Sequence, residues 1–450
     1  MMGERIFGQL TTAMTQEPTV SIRLNPLKCY YMPKHFESRV PWCNTGYYLT
    51  ERPNFTFDPI FHTGLYYVQE ASSMFIHQVL RQFVTVPSLV LDLCAAPGGK
   101  STAARTILPH GSVLVSNEPV RQRAQILSEN IQKFGHRDCL VTNNYPRDFR
   151  QSGLLFDVVI ADVPCSGEGM FRKDEGAVSE WSPQNIERCA TLQREIVADI
   201  WDNLKPGGLL VYSTCTFNTK ENEENVQWIQ QHYRAEILAV DTDEEWHIKG
   251  SLLPGFDEPV YRFLPGFTRG EGLFMAVLRK NWDNTVAPSK AVAPKPQRTP
   301  FDGQCRDWLP EGFTFVQEGD RLLAIPDNIA TVWATARKSL KVLHAGITIG
   351  TIKGRNLIPD QSLALSAPLH RDAFPQADLD YETAIMYLRR ESITLPSNTP
   401  LGFVLITYRH IPLGFVKNIG NRANNLYPAE WKIKSTHMPL TIPAVLDINS

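Results

Sequence analysis

Short apolar runs alternate with helix-periodic segments from residue 88 to residue 279, and that alternation constrains the fold more than any other feature of the chain. Ser88–Asp92, Ser112–Asn117, Leu140–Thr142, Asp157–Ala161 and Gly208–Ser213 read as strands. The segments Gly99–Leu108, Pro119–Phe134, Pro183–Leu204 and Thr219–His232 read as helices between them. A continuously apolar strand is one buried on both faces. Strand–helix alternation of this length therefore predicts a parallel sheet covered by helices on each side. Gly272–Arg279 adds one late strand.

The flanks are organised differently. Residues 1–28 predict a short helix and the strand Val20–Leu24, closed by Asn25-Pro26. Residues 29–65 read as loops and short strands, and a helix follows over Ala71–Phe83. Pro288, Pro294, Pro296 and Pro300 mark residues 283–300 as a linker. Beyond it, 301–375 mixes short strands with a helix near 328–339. Residues 376–450 predict a helix at 379–390 and strands at Leu401–Tyr408 and Leu413–Lys417. The chain thus divides into 1–80, 81–282, the linker 283–300, 301–375 and 376–450.

No run of 18 apolar residues occurs, and Met1–Thr15 lacks the apolar stretch of a secretory signal. The 8 cysteines form no C-x-x-C pair, which excludes a disulfide framework and a structural zinc site. A reduced, cytoplasmic, monomeric protein without metal is expected, with thiols free to react.

The run Leu89–Leu93, Cys94, Ala95, Ala96, Pro97, Gly98, Gly99, Lys100 carries a buried strand through a tight turn into a helix. Glycines there let backbone approach a ligand, and the helix N-terminus offers unpaired N–H groups. Two ligand classes compete. The spacing to Gly99-Lys100-Ser101 is close to a phosphate-binding loop, but Cys94 stands where that loop needs glycine. An adenosine cofactor is favoured by Glu118, 20 residues after Gly98 at the end of the second strand, where a carboxylate can hold ribose hydroxyls.

Two later strands also end in loops with a thiol. Asp157–Ala161 runs into Asp162-Val163-Pro164-Cys165, and Gly208–Ser213 into Thr214-Cys215-Thr216. One such cysteine is ordinarily a small packing residue. Two at strand ends facing the cofactor edge suit methylation of a pyrimidine carbon 5. That carbon becomes nucleophilic only after a thiolate adds at carbon 6, while an acid, here Asp162, hydrogen-bonds the ring. The residues alone leave open which cysteine attacks.

Taken together, Ser21–Pro26, Tyr67–Met74, Asp92–Lys100, Pro164–Lys173, Ser213–Phe217 and Leu413–Pro428 resemble the bacterial RsmF group of the NOL1/NOP2/sun RNA cytosine-5 methyltransferases. The likeness spans nearly the whole chain. It implies a Rossmann-like class I methyltransferase with a mostly parallel seven-stranded sheet. A small α+β N-terminal RNA-binding domain and a β-rich PUA-like C-terminal domain would flank it. It implies S-adenosylmethionine as cofactor, held by Cys94, Ala95, Ala96, Pro97, Gly98, Gly99, Lys100, Glu118 and Asp162. It further implies Cys215 as nucleophile, Cys165 as the thiol that helps release product, and Asp162 as the acid.

The implied substrate is ribosomal RNA, within 16S RNA or the small subunit. Transfer RNA and a non-catalytic assembly factor are the alternatives, and a phosphate-loop NTPase is a weaker third. Relatives carry an acid 18 positions before Asp162, near the adenine, where this chain has Asn144.

Net charge is −2, so any RNA-binding surface must be local. Residues 100–150 hold eight bases and four acids, and 221–245 eight acids and one base. Residues 403–435 carry Arg409, Lys417, Arg422, Lys432 and Lys434 against Glu430. Tyr408, Phe415 and Tyr427 lie among them. The expected roles are phosphate binding by the cations and base stacking by the aromatics. Removing everything after the linker is expected to spare cofactor binding.

Overall fold

The computed structural model describes residues 3–282, 300–435 and 438–448, so almost all of the expected linker 283–300 lies outside the described residues. Helix α1 (Gly3–Met14) leads to a sheet of β1 (Ser21–Leu24), β2 (Phe36–Val40), β3 (Cys43–Leu49) and β4 (Tyr66–Val68), ordered β2-β3-β1-β4. A short 3-10 turn, Ser72–Phe75, then feeds α2 (Ile76–Phe83).

The catalytic region follows as β5 (Leu89–Asp92), α3 (Gly99–Ile107), β6 (Val113–Asn117), α4 (Arg121–Phe134), β7 (Cys139–Thr142) and β8 (Phe156–Asp162). Next come α5 (Glu175–Glu180), α6 (Pro183–Ile200), β9 (Leu204–Thr214), α7 (Glu223–Tyr233), β10 (Glu236–Leu238), β11 (Tyr261–Phe263) and β12 (Leu273–Arg279). Ser182 caps α6 by accepting from the Asn185 N–H, and Pro183 occupies the first turn, where its missing N–H is harmless.

Five strands, in the order β9-β8-β5-β6-β7, pair in parallel. Antiparallel β12 and β10 complete seven. The period-two pattern holds within this sheet. Val158 and Ile160 face α2, α3 and α4 in one core, whereas Val159 and Ala161 face α6 and α7 in the other.

Beyond residue 300 lie α8 (Asp302–Trp308), β13 (Phe313–Glu318), β14 (Arg321–Pro326), α9 (Ala330–Ala336), β15 (Val342–Ala345), β16 (Ile347–Lys353), β17 (Asn356–Pro359) and α10 (Gln361–Leu365). The last part holds β18 (Gln376–Leu379), α11 (Tyr381–Leu388), β19 (Gly402–Tyr408), β20 (Ile411–Asn418) and β21 (Ala423–Asn425). These four strands form a sheet in chain order.

The large sheet is wider than the seven strands expected. β11 pairs with β12, and β15 adds antiparallel to the far edge at β7, giving nine. The addition leaves no exposed edge at β7. Side chains follow: Ile329, Ala330, Trp333 and Ala336 pack in the same core as Leu91, Val115 and Val159. Residues 376–446 instead share a core with the N-terminal sheet, where Leu379, Ile385 and Tyr387 meet Ile22, Tyr47 and Tyr66.

The expectation that removal of residues 301–450 spares cofactor binding therefore fails on structural grounds, since that cut strips an edge strand and one wall of the catalytic core. Trp333, only 1% exposed, reports on this wall. Trp333→Ala is expected to lose about 3–5 kcal/mol of stability. Denaturant unfolding should show it as loss of the catalytic sheet, not of a separate C-terminal transition.

A second correction concerns Tyr408, Phe415 and Tyr427, expected to stack on bases. They are 6%, 1% and 0% exposed and belong to the core: Tyr408 and Phe415 sit on β19 and β20, which are buried on both faces, and Tyr427, after β21, packs edge-on against Tyr387. The cations Lys417, Arg422, Lys432 and Lys434 are exposed.

Candidate active site

The strands β5, β8 and β9 end side by side, and each delivers a loop to the same edge. The β5 loop turns at Gly98, whose φ of +112 is one that a side chain rarely tolerates. Lys100 then starts α3 and forms an ion pair with Asp162 at the end of β8, 2.8 Å apart. Ser213 at the end of β9 donates to the other oxygen of Asp162 at 2.7 Å. Burial alone would lower the Lys100 pKa, but the Asp162 carboxylate raises it overall. The cation is thus secure at neutral pH.

A cavity of about 180 Å3 opens here. Cys94, Ala95, Ala96, Pro97, Gly99, Lys100 and Asp162 line it from the expected set, and Asp92, outside that set, joins them. Gly98 and Glu118 do not. Glu118 sits at the end of β6, 1% exposed, with one oxygen accepting from the Val120 N–H and the other without a hydrogen-bond donor. Arg123 lies 3.6 Å from that second oxygen. Burial, with Glu118 as the next cause, pushes the Cys94 thiol far above its usual range, so Cys94 is an inert wall. Asp92 is fully buried and pushed up to about 7, mainly by burial. One of its oxygens takes the Ser101 hydroxyl at 2.6 Å, and the other has no partner.

The two thiols meet. Cys165 Sγ lies 3.2 Å from Cys215 Sγ, and the Cys215 N–H donates to Cys165 Sγ at 3.3 Å. The hydrogen bond from Cys165 lowers the Cys215 pKa, with Lys100 helping against burial and Asp162, while that same bond holds Cys165 well above a normal thiol. Of the two, Cys215 is the thiol more easily ionised and Cys165 the one held protonated.

A clasp of two carboxylates, absent from the expected set, holds the thiols together. Glu168, three residues after Cys165, accepts from Thr216 Oγ1, the Phe217 N–H and the Asn218 N–H at 2.7, 2.7 and 2.9 Å. Glu221, six residues after Cys215, accepts from the Ser166 N–H at 3.0 Å and its hydroxyl at 2.5 Å. Each cysteine segment thus grips the other. Gly169 completes the fit, since an added Cβ would stand 2.6 Å from the Cys215 carbonyl. Glu221 falls in the acidic run 221–245, whose plain reading is solvated surface, yet Glu221 and Glu223 are fully buried. Glu223, at the start of α7, pairs instead with buried Arg262.

Tyr67, Gln69 and Ser73 complete the cavity from the N-terminal part. Asn144 is engaged elsewhere: its amide donates to the Lys341 carbonyl at 3.3 Å and accepts from the Lys341 N–H at 3.0 Å. A carboxylate could not make the first bond, so the amide suits the entry into β15.

Fold and site define a Rossmann-like methyltransferase with an added N-terminal domain and a PUA-like C-terminal domain. The model of the 16S rRNA methyltransferase RsmB/F family matches residues 85–279. Those for the N-terminal domain of 16S rRNA methyltransferase RsmF and the methyltransferase RsmF PUA domain match 1–71 and 374–433. A ribosomal RNA small subunit methyltransferase F of Escherichia coli O6:H1 is 32% identical over 420 residues, 87% of this chain and 84% of its own. One from Salmonella heidelberg is 30% identical over 460 residues, 94% and 92% of the two chains.

Among solved structures, a methyltransferase homolog protein from Pyrococcus horikoshii superposes with a TM-score of 0.53 at 28% identity, covering 62% of this chain and 91% of its own. NSun6 from the same organism, with SFG, gives 0.51 at 19% identity over 63% and 96%, a likeness of fold alone. The chain belongs to the bacterial RsmF-type NOL1/NOP2/sun methyltransferases and is an RNA methyltransferase. No helix of the described residues is long and apolar enough to cross a membrane. Among the same residues, no group of three or more His, Cys, Asp or Glu could hold a metal.

Proposed function

We propose that this protein methylates carbon 5 of a cytosine in 16S ribosomal RNA in the cytoplasm, through a covalent bond between Cys215 and carbon 6, with S-adenosylmethionine as donor. The observation that supports it most is the Cys165–Cys215 pair, 3.2 Å apart, beside Lys100 and Asp162. A nucleotide hydrolase has no use for two coupled thiols, and a non-catalytic assembly factor has no need to keep one ionised.

The donor fits the residues present. Asp92 keeps one buried carboxylate oxygen without a partner near the Cys94–Lys100 loop, and the second oxygen of buried Glu118 has no hydrogen-bond donor and only Arg123 at 3.6 Å, a costly arrangement unless a ligand supplies donors. Those two residues, with Ala95 to Lys100 and Asp162, would hold it, and when bound it supplies an electrophilic methyl group. Cys215 adds to carbon 6 as a thiolate, which leaves carbon 5 electron-rich. The Asp162 carboxylate, fixed by Lys100 and Ser213, accepts a hydrogen bond from the cytosine amino group, and the Lys100 cation beside it offsets the negative charge that builds on the ring. The carbon 5 proton then passes to solvent water, its electron pair restores the ring double bond as the carbon–sulfur bond breaks, and the Cys165 thiol is placed to donate to the leaving Cys215 thiolate.

Bisulfite sequencing of ribosomal and transfer RNA from a deletion strain tests the reading. One 16S cytosine should lose its methyl group and regain it with the intact gene. Unaltered 16S RNA with an altered transfer RNA would refute the substrate. Glu118→Ala is expected to weaken S-adenosylmethionine binding by ~10–100-fold in calorimetry, since a charged hydrogen-bond partner is worth about 1.5–3 kcal/mol.

A further inference from the structure

Lys28 and Arg371 are two cations that share a cavity without a counter-charge. Lys28 follows β1, and its ammonium donates to the Thr63 carbonyl at 3.0 Å and the Lys133 carbonyl at 2.7 Å, near the end of α4. Its third N–H has no acceptor among the described residues. It lines a cavity of about 200 Å3 with Tyr30, Leu365, Arg371 and Pro412, where the N-terminal part meets both segments beyond the linker. Arg371 makes one long hydrogen bond, 3.4 Å to the His410 carbonyl. Neither cation has a carboxylate within ion-pair distance among the described residues.

Capping α4 accounts for two protons of Lys28. It does not account for Arg371 placed against it. Burial, and then repulsion from Arg371, hold the Lys28 ammonium down to about 7. An anion reverses the sign of that interaction, and a phosphate offers oxygens to both donors at once. At the rim, Tyr30 is 87% exposed, a large ring with no structural task. Tyr408, Phe415 and Tyr427 are buried, whereas Tyr30 is a ring open to a base at this rim.

We propose that the cavity between Lys28 and Arg371 seats one phosphodiester of the RNA substrate, with Tyr30 against an adjoining base. The proposal rests on RNA being the substrate. Aromatic stacking and phosphate pairing are how unpaired RNA is held in general.

Full-length protein and a fluorescent single-stranded 16S RNA transcript test it, with affinity measured against salt. Arg371 is exposed, so Arg371→Gln leaves the fold intact. It is expected to weaken binding ~3–10-fold and to lower the log–log salt slope by about 0.7, one phosphate on a single strand. Arg371→Lys should keep the slope, and Tyr30→Ala should weaken binding with the slope unchanged. An Arg371→Gln protein with wild-type affinity and slope overturns the seat while RNA methylation stands. A wild-type protein that does not bind the transcript overturns the seat and the substrate together.

Discussion

Cys215→Ala is expected to lower methylation by at least ~10^4-fold while leaving S-adenosylmethionine affinity within about twofold, because the proposed reaction makes this thiol the covalent catalyst. Cys215 lies outside the cavity formed by the Cys94–Lys100 loop, so removing its sulfur leaves that cavity's walls in place. Single-turnover assays with labelled donor measure the first quantity and calorimetry the second. Substantial turnover by the purified variant would transfer the nucleophile's role to Cys165. The electrostatics argue against that exchange, since the pair raises the Cys165 pKa and lowers that of Cys215.

Cys165→Ala is expected to trap the protein on its RNA. Without the assisting thiol, elimination stalls after methyl transfer, and a denaturing gel should show a slow, protease-sensitive RNA band. A second effect follows from the 3.2 Å contact. Cys165 lowers the Cys215 pKa in the intact protein, so its loss raises that pKa and shrinks the thiolate fraction at a given pH. The acid limb of adduct formation should therefore move to higher pH in Cys165→Ala. An adduct that forms with an unshifted limb would show that Lys100 alone ionises Cys215. No adduct at any pH would count against the release role. Glu168→Gln should move the same limb in the same direction, since it loosens the clasp that brings the thiols together.

Much of this site was legible because it lies on a periodic frame. Continuous apolar strands at 89–92, 156–162 and 204–214 locate three loops at one sheet edge, and the glycines and cysteines follow from there. The clasp was not legible in the same way. Glu168 and Glu221 look like ordinary surface acids until chain crossing brings each to the other's loop, and no spacing rule encodes that contact. Asn144 shows the same limit: its reason is a main-chain partner at Lys341, nearly 200 residues away. The buried Tyr408, Phe415 and Tyr427 illustrate the opposite error. Aromatics among lysines suggest RNA stacking, but a strand pattern apolar on both faces marks a core.

The strand β15 has a consequence for how the protein is made. Its partner β7 ends at Thr142 and β15 begins at Val342. A ribosome adds ~5–20 residues per second, so the β7 edge waits roughly 10–40 s for its neighbour. Through that interval the nascent sheet presents open backbone donors and acceptors. The long delay between the two strands makes this edge the place where a chaperone that recognises unpaired strands would act.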